Sequence, residues 1–180
     1  MPLDDATELF YQVDQHDREI GRITRKQAHS NPNIIHRSVA ALIINQNDEM
    51  LFQKRSLQKD MNPGFWSYGV GGHVNYGQTY QSAIVRELQE ELGLIHPQVR
   101  FLKKILVPSE KETEMKSVFE VRLKEVPHFV LDSTEVSEVQ WVSIDKITHF
   151  VNTHPFTDWT IMTLKHTGYL DENFIQKGEI

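Results

Sequence analysis

The most informative part of the sequence is residues 72–94, which read GHVNYGQTYQSAIVRELQEELGL. Thr79 is a typical N-cap residue and Gly93 stands where helices commonly stop, so the segment predicts a helix that runs through residue 92. Apolar residues recur at the spacing of one helix face, at Ile84, Leu88 and Leu92. We expect this face to pack on a core, which leaves the opposite face for chemistry.

Three glutamates share that opposite face. Glu87, Glu90 and Glu91 are spaced i, i+3 and i+4, which places their carboxylates in one cluster. Like charges this close repel one another, and such a cluster becomes stable when a hard divalent cation binds between them. Arg86, four residues before Glu90, can steady the cluster. A solvated acidic helix face is the alternative on composition alone.

The full spacing overturns that alternative because the segment resembles the Nudix box, Gly-x5-Glu-x7-Arg-Glu-U-x-Glu-Glu-x-Gly-U, where U is a bulky aliphatic residue. The box positions that fit are Gly72, Arg86, Glu87, Leu88, Glu90, Glu91, Gly93 and Leu94. Gln78 departs from the pattern, since the family has its first glutamate there. That position is peripheral to the family's main metal cluster, so the departure weakens hydrolysis without refuting it.

This resemblance implies a fold and a reaction. The fold is α/β, the Nudix α/β/α sandwich with a mixed β-sheet, and the reaction is attack of water on a small-molecule diphosphate that depends on Mg²⁺ or Mn²⁺. By the resemblance, the catalytic residues are Arg86, Glu87, Glu90 and Glu91. Glu90 and Glu91 resemble the principal metal ligands, and Glu87 a further ligand or base.

Residues 13–165 resemble one branch, the type I isopentenyl-diphosphate isomerases. The isomerase pattern RxxxKxxxPGxWxxxVCGH is reproduced by Arg55, Lys59, Pro63, Gly64, Trp66, Val70, Gly72 and His73. Its cysteine position is Gly71, and a glycine can transfer no proton, whereas the isomerases need that cysteine and a glutamate to move protons on carbon. The chain also keeps Glu87, where the isomerases usually have arginine. These differences favour a hydrolase; an isomerase with another proton donor and a non-catalytic diphosphate sensor remain the alternatives.

The resemblance also implies a second metal site and a substrate-binding site. The isomerases hold a metal with three histidines and two glutamates, and the matching positions are His29, His36, His73, Glu112 and Glu114. Mg²⁺, Mn²⁺ and Zn²⁺ all suit nitrogen and oxygen ligands, and packed or surface histidines are the alternative. Arg55 and Lys59 match the diphosphate contacts of the isomerases. Trp159 matches the tryptophan that faces their carbocation, although a core tryptophan fits the sequence equally well.

Length and composition limit the remaining classes. A chain of 180 residues suits a single domain, here 1–180. With no cysteine, it has no disulfide, thiolate zinc site or cysteine nucleophile. The formal charge of -6 argues against a nucleic-acid coat, whereas the locally basic residues 22–59 beside the glutamates suit a small metal-bound polyanion. The longest apolar run, 39–44, is too short for a membrane span, and the acidic N-terminus predicts a cytoplasmic protein. The oligomeric state stays open, a homodimer included.

The rest of the chain reads as alternating strands and helices. Hairpins are predicted at 8–13 with 19–24 and at 36–45 with 50–55, further strands at 65–70, 101–107, 116–123 and 135–142, and helices at 144–150 and 156–165. Strands outnumber helices and helices interrupt them, which predicts a mixed sheet covered by helices.

Overall fold

The structure is a computed structural model that describes residues 5–59 and 61–176. The strands are β1 (Leu9–Val13), β2 (Glu19–Thr24), β3 (Ile35–Ile44), β4 (Glu49–Arg55), β5 (Trp66–Tyr68), β6 (Val70–His73), β7 (Arg100–Pro108), β8 (Thr113–Arg122) and β9 (Val136–Ser143). The helices are α1 (Arg25–Ala28), α2 (Tyr80–Leu92), α3 (Ile147–Thr153), which a 3-10 turn (Ile144–Lys146) precedes, and α4 (Asp158–His166). None of the helices in these two ranges has the length and apolar character needed to cross a bilayer.

The central strand of the sheet is β3. One of its edges pairs in parallel with β8, from Ile35 opposite Thr113 to Ile44 opposite Arg122. Its other edge is shared by β1, β6 and β4, all antiparallel. The sheet continues from β1 to β2, from β8 to β7, and from β4 to β5 and β9. Parallel and antiparallel pairs coexist, so the predicted mixed sheet is confirmed.

Alternate residues of β3 belong to two apolar clusters. Ala40, Leu42 and Ile44 pack with buried residues of α3 and α4, whereas Val39, Ala41 and Ile43 pack with the apolar face of α2. Successive side chains of a strand point to opposite faces of its sheet, so helices cover both faces. This is the α/β/α arrangement predicted from the sequence, and it explains why β3 reads as an uninterrupted apolar run.

The helix that carries the box has the predicted ends. The Thr79 side chain accepts a hydrogen bond from the backbone N–H of Ser82, and Gly93 ends α2 in a left-handed conformation with φ 69°. The strand predicted at 65–70 is instead two short strands, β5 and β6, which separate at Gly69. The sequence reading also missed α1, and it placed the start of β8 three residues late, because parallel pairing with β3 extends β8 back to Thr113.

Candidate active site and metal cluster

The residues predicted to form the site meet around one cavity of about 450 Å³. The cavity is lined by Arg86, Glu87, Glu90 and Glu91 from the box, by Arg55, Lys59 and Trp159, and by His29, His73, Glu112 and Glu114. His36, the remaining candidate, is fully buried on β3, with its ring centre 5.7 Å and 5.2 Å from those of His29 and His73. The two predicted metal clusters therefore adjoin one cavity.

The box carboxylates are held by an arginine at the contact between β6 and α2. Arg86 places Nη2 2.8 Å from Glu87 Oε1 and Nη1 2.8 Å from Glu90 Oε2. The same Nη2 donates to the backbone oxygen of His73 at 3.0 Å, which ties the helix to β6. A Cβ at Gly72 would lie 2.0 Å from Glu87 Oε1, so only glycine allows this approach.

Two of these carboxyl groups have a strongly raised pKa. Burial raises the pKa of Glu87 to about 7 against the attraction of Arg86. Burial and the charge of Glu87 raise the pKa of Glu91 well above its ordinary value, although Gln53 Nε2 donates to Glu91 Oε2 at 3.0 Å. Crowded, buried carboxylates of this kind are stabilised by a divalent cation between them, so the oxygen-rich cluster fits Mg²⁺ or Mn²⁺.

A second cluster brings together side chains from four parts of the chain. His29 follows α1, His36 lies on β3, His73 ends β6, and Glu112 immediately precedes β8. Glu112 Oε2 lies 3.1 Å from His29 Nε2, 3.4 Å from His36 Nε2 and 4.0 Å from His73 Nε2. One potential ligand atom from each of the four residues falls within 4.8 Å of the others.

The fit of this cluster to a metal can be judged from its unsatisfied atoms. Both ring nitrogens of His36 and Oε2 of Glu112 are buried, and within the described ranges none of them makes a hydrogen bond. Ligands about 2.0–2.1 Å from a common ion are at most about 4.2 Å apart, a limit that the Glu112 distances meet. Buried polar atoms without a partner are costly, so the cluster fits a cation.

Burial favours the neutral form of two of the histidines, His36 and His73, which is the form in which an imidazole binds a metal. Burial lowers the pKa of His36 and lowers that of His73 well below its ordinary value. Arg25 Nη1 lies 3.2 Å from His73 Nδ1, and because arginine can only donate, the neutral ring carries its proton on Nε2. That nitrogen is 3.1 Å from His29 Nε2. For Nε2 of neutral His73 to bind a metal, the proton must move to Nδ1 and Arg25 must turn away from that nitrogen.

Glu114 differs from the other predicted ligands. Its Oε2 lies 2.7 Å from Lys116 Nζ, and Lys116 also donates to the hydroxyl of Tyr68 at 3.0 Å. Although burial opposes it, the Lys116 charge lowers the pKa of Glu114 to about 2. The sequence reading missed Lys116, although Glu112, Glu114 and Lys116 alternate at the spacing of one strand face.

The predicted substrate-binding residues come from two parts of the chain: Arg55 ends β4 and Lys59 follows it, whereas Trp159 lies on α4. Arg55 donates from Nε to the backbone oxygen of Met61 at 3.0 Å, and its Cζ lies 5.5 Å from the ring centre of Trp159. Lys59 Nζ is 2.8 Å from Glu135 Oε2. Glu135, which also lines the cavity, was missed because it lies in an irregular stretch far from the box.

A family model described as the NUDIX domain matches residues 34–162, more than half of the chain. The chain belongs to the Nudix family. This Nudix domain is 29% identical over 170 residues to isopentenyl-diphosphate delta-isomerase 2 of Photorhabdus laumondii, covering 91% of this chain and 94% of the relative. It is 37% identical over 87 residues to the uncharacterized Nudix hydrolase PA4841 of Pseudomonas aeruginosa, covering 48% and 51% of the two chains. The crystal structure of DR0079 from Deinococcus radiodurans shares the fold, with a TM-score of 0.76 and 20% identity over 89% of this chain and 99% of that one.

In this Nudix domain, Tyr68 occupies the space beside Gly71. A Cβ at Gly71 would lie 2.7 Å from Cε2 and 3.1 Å from the hydroxyl oxygen of Tyr68. Tyr68 is buried and lines the cavity, where its hydroxyl accepts the hydrogen bond from Lys116. The position at which the isomerases carry cysteine is thus without a proton donor and is closed to a larger side chain by the ring.

Proposed function

We propose that this Nudix domain hydrolyses a small diphosphate-containing substrate, a nucleoside diphosphate derivative or a prenyl-like diphosphate, by metal-assisted attack of water on phosphorus. The observation that carries the proposal is the convergence of Glu87, Glu90 and Glu91 on a cavity that also contains Arg55 and Lys59. Carboxylates and cations in one cavity suit a substrate that brings its own negative charge together with a metal.

In this proposal the acidic residues of the cavity bind the metal and the basic residues bind the phosphates or orient the carboxylates. Arg86 orients Glu87 and Glu90, and Gln53 orients Glu91, so the carboxylates are held before substrate enters. A divalent cation bound there, Mg²⁺ or Mn²⁺, would neutralise phosphate charge and acidify water. Arg55 and Lys59 would bind the phosphate oxygens, which places the organic group toward Trp159.

The second candidate function is isopentenyl-diphosphate isomerisation, favoured by the isomerase relative that matches 91% of the chain. Isomerisation needs a proton donor and a proton acceptor at carbon, and Gly71 supplies neither. The nearest polar atom to a Cβ built at Gly71 is the hydroxyl oxygen of Tyr68, at 3.1 Å. We therefore expect no efficient isomerisation, because loss of a general acid commonly costs about 10²- to 10⁴-fold.

A substrate panel separates the two candidates. Nucleoside diphosphates and triphosphates, dinucleotides and prenyl diphosphates are incubated with the protein in Mg²⁺ or Mn²⁺, and products are read by coupled phosphate release and mass spectrometry. New phosphate groups support hydrolysis, and a shifted double bond supports the isomerase. Neither product would indicate a protein that binds a diphosphate without converting it, and would contradict the proposal.

The box glutamates provide the sharpest test of the mechanism. Glu90→Gln and Glu91→Gln are each expected to lower kcat at least about a hundredfold, since each removes a charge used in the transition state. Glu125→Gln, an exposed glutamate outside the cavity, is the matched control and should retain full turnover. If both box variants fold and turn over like the wild type, the mechanism is wrong.

A further inference from the structure

Three charged residues that line the cavity alternate along β8 and the residue just before it: Glu112, Glu114 and Lys116. In the parallel register Glu114 stands opposite His36, so backbone position alone would place its carboxylate beside the histidines. The four side chains that converge there are nevertheless the three histidines and Glu112. Glu114 Oε2 instead lies 2.7 Å from the ammonium of Lys116.

We infer that Lys116 is the internal counter-ion of Glu114 and keeps this carboxylate out of the metal's donor set. The histidine cluster then offers an ion three imidazoles and one carboxylate, and this donor set selects Zn²⁺ over Mg²⁺. The inference concerns metal choice and does not depend on the reaction that the domain catalyses.

Burial makes this competition strong. Lys116 is 2% exposed, and its ammonium contacts the carboxylate of Glu114 and the neutral hydroxyl of Tyr68. Transfer of Glu114 to a metal would leave the buried ammonium with the hydroxyl in place of a carboxylate. A buried charge that loses its partner is strongly destabilising, so the ion pair holds Glu114 where it is.

The remaining donor set then determines the ion. Imidazole nitrogen suits Zn²⁺ and similar transition ions, whereas Mg²⁺ prefers oxygen ligands and near-ideal octahedral geometry. Four ligands from three histidines and Glu112 match the four-coordinate geometry of zinc sites. The box cluster offers only carboxylate oxygens, so the single cavity holds two sites of different metal preference.

Two matched carboxylate variants test the inference without any substrate. Zn²⁺ affinity is measured by titration calorimetry on the full chain in excess Mg²⁺, with Glu112→Gln and Glu114→Gln compared with wild type. We expect Glu112→Gln to weaken binding at least about tenfold and Glu114→Gln to leave it unchanged. Equal losses of Zn²⁺ affinity in the two variants would overturn the inference. So would a wild-type protein that binds no Zn²⁺, or Zn²⁺ binding that persists in His36→Ala.

The role of Lys116 is tested by spectroscopy with Co²⁺ as the probe, because four-coordinate Co²⁺ absorbs visible light far more strongly than six-coordinate Co²⁺. Wild type should give the intense band, and Lys116→Met should weaken it by releasing Glu114 to the ion. If Lys116→Met does not fold, the double variant Glu114→Gln/Lys116→Met, which removes both charges, should fold and keep the intense band. A weak wild-type band, or an intense band unchanged in Lys116→Met, would contradict the inference.

Discussion

Among single residues, Gly71 and Tyr68 bear most directly on the proposed choice between hydrolysis and isomerisation. Their contact makes the glycine a packing requirement as well as a missing acid, since the tyrosine ring stands where a side chain at position 71 would begin. We therefore expect that cysteine introduced at position 71 alone does not recreate an isomerase site.

We predict that Gly71→Cys destabilises the protein by about 1–3 kcal/mol, the usual cost of overpacking. In a Tyr68→Ala background the added side chain fills the vacated space, so the same change should cost much less. The four proteins form a double-mutant cycle read by urea unfolding. Additive free energies in this cycle would show that the two side chains do not compete for one space.

The cations of the cavity are expected to act in binding. Arg55→Ala and Lys59→Ala should each raise KM about tenfold or more with a smaller effect on kcat, because a charged hydrogen bond to phosphate is present in ground and transition states alike. Lys54→Ala is the matched control, since Lys54 neighbours Arg55 on β4 but pairs with Glu138 outside the cavity. Unchanged kinetics in Arg55→Ala and Lys59→Ala would mark them as surface cations.

At the scale of elements, the hairpin of β1 and β2 is fastened at its turn by Asp17. This residue, at φ 61°, accepts hydrogen bonds from Arg37 Nε at 2.7 Å and from the Tyr80 hydroxyl at 2.9 Å, and it is also paired with Lys104. The three partners lie on β3, α2 and β7. The hairpin leads directly into α1 and His29, so we expect Asp17 to help position one of the candidate metal ligands.

We predict that Asp17→Ala lowers the free energy of unfolding by about 1.5–3 kcal/mol, because it strips charged hydrogen bonds from a partly buried cluster. It should also weaken metal binding through His29, as measured by Zn²⁺ titration. Arg18→Ala, in the same turn but exposed and paired with Asp14, should cost less than about 1 kcal/mol. Equal costs for the two variants would show that Asp17 has no special anchoring role.

At the scale of the whole molecule, the histidine cluster joins α1, β3, β6 and the segment before β8. An ion that binds only the folded state stabilises it by about 2.7 kcal/mol at a hundred times its dissociation constant. Zn²⁺ should accordingly raise Tm by about 5–10 °C. In the double variant His36→Ala/His73→Ala the shift should vanish, and protein purified without chelator should contain less metal by elemental analysis. Equal metal content in the two proteins would return these histidines to a packing role.

The sequence predicted best those features that depend on neighbours along the chain. The ends of α2 follow from Thr79 and Gly93, and the shared face of Glu87, Glu90 and Glu91 follows from helix geometry. The mixed sheet and its cover of helices were also predicted. Hydrophobic periodicity could not place the break at Gly69 or the start of β8, because both depend on pairing with β3.

What the sequence determined by itself is the box helix, the absence of an acid at Gly71 and the identity of the ligand candidates. Only the tertiary structure determined which of those candidates lie beside one another and which are paired with other charges. Parallel pairing of β3 with β8 sets His36 opposite Glu114, yet the carboxylate that lies 3.4 Å from His36 Nε2 is that of Glu112. The Glu114 carboxylate lies instead 2.7 Å from Lys116 Nζ. The partner of each carboxylate depends on which charges are buried together. In a buried region, a charge a few ångströms away outweighs an arrangement expected from spacing along the chain.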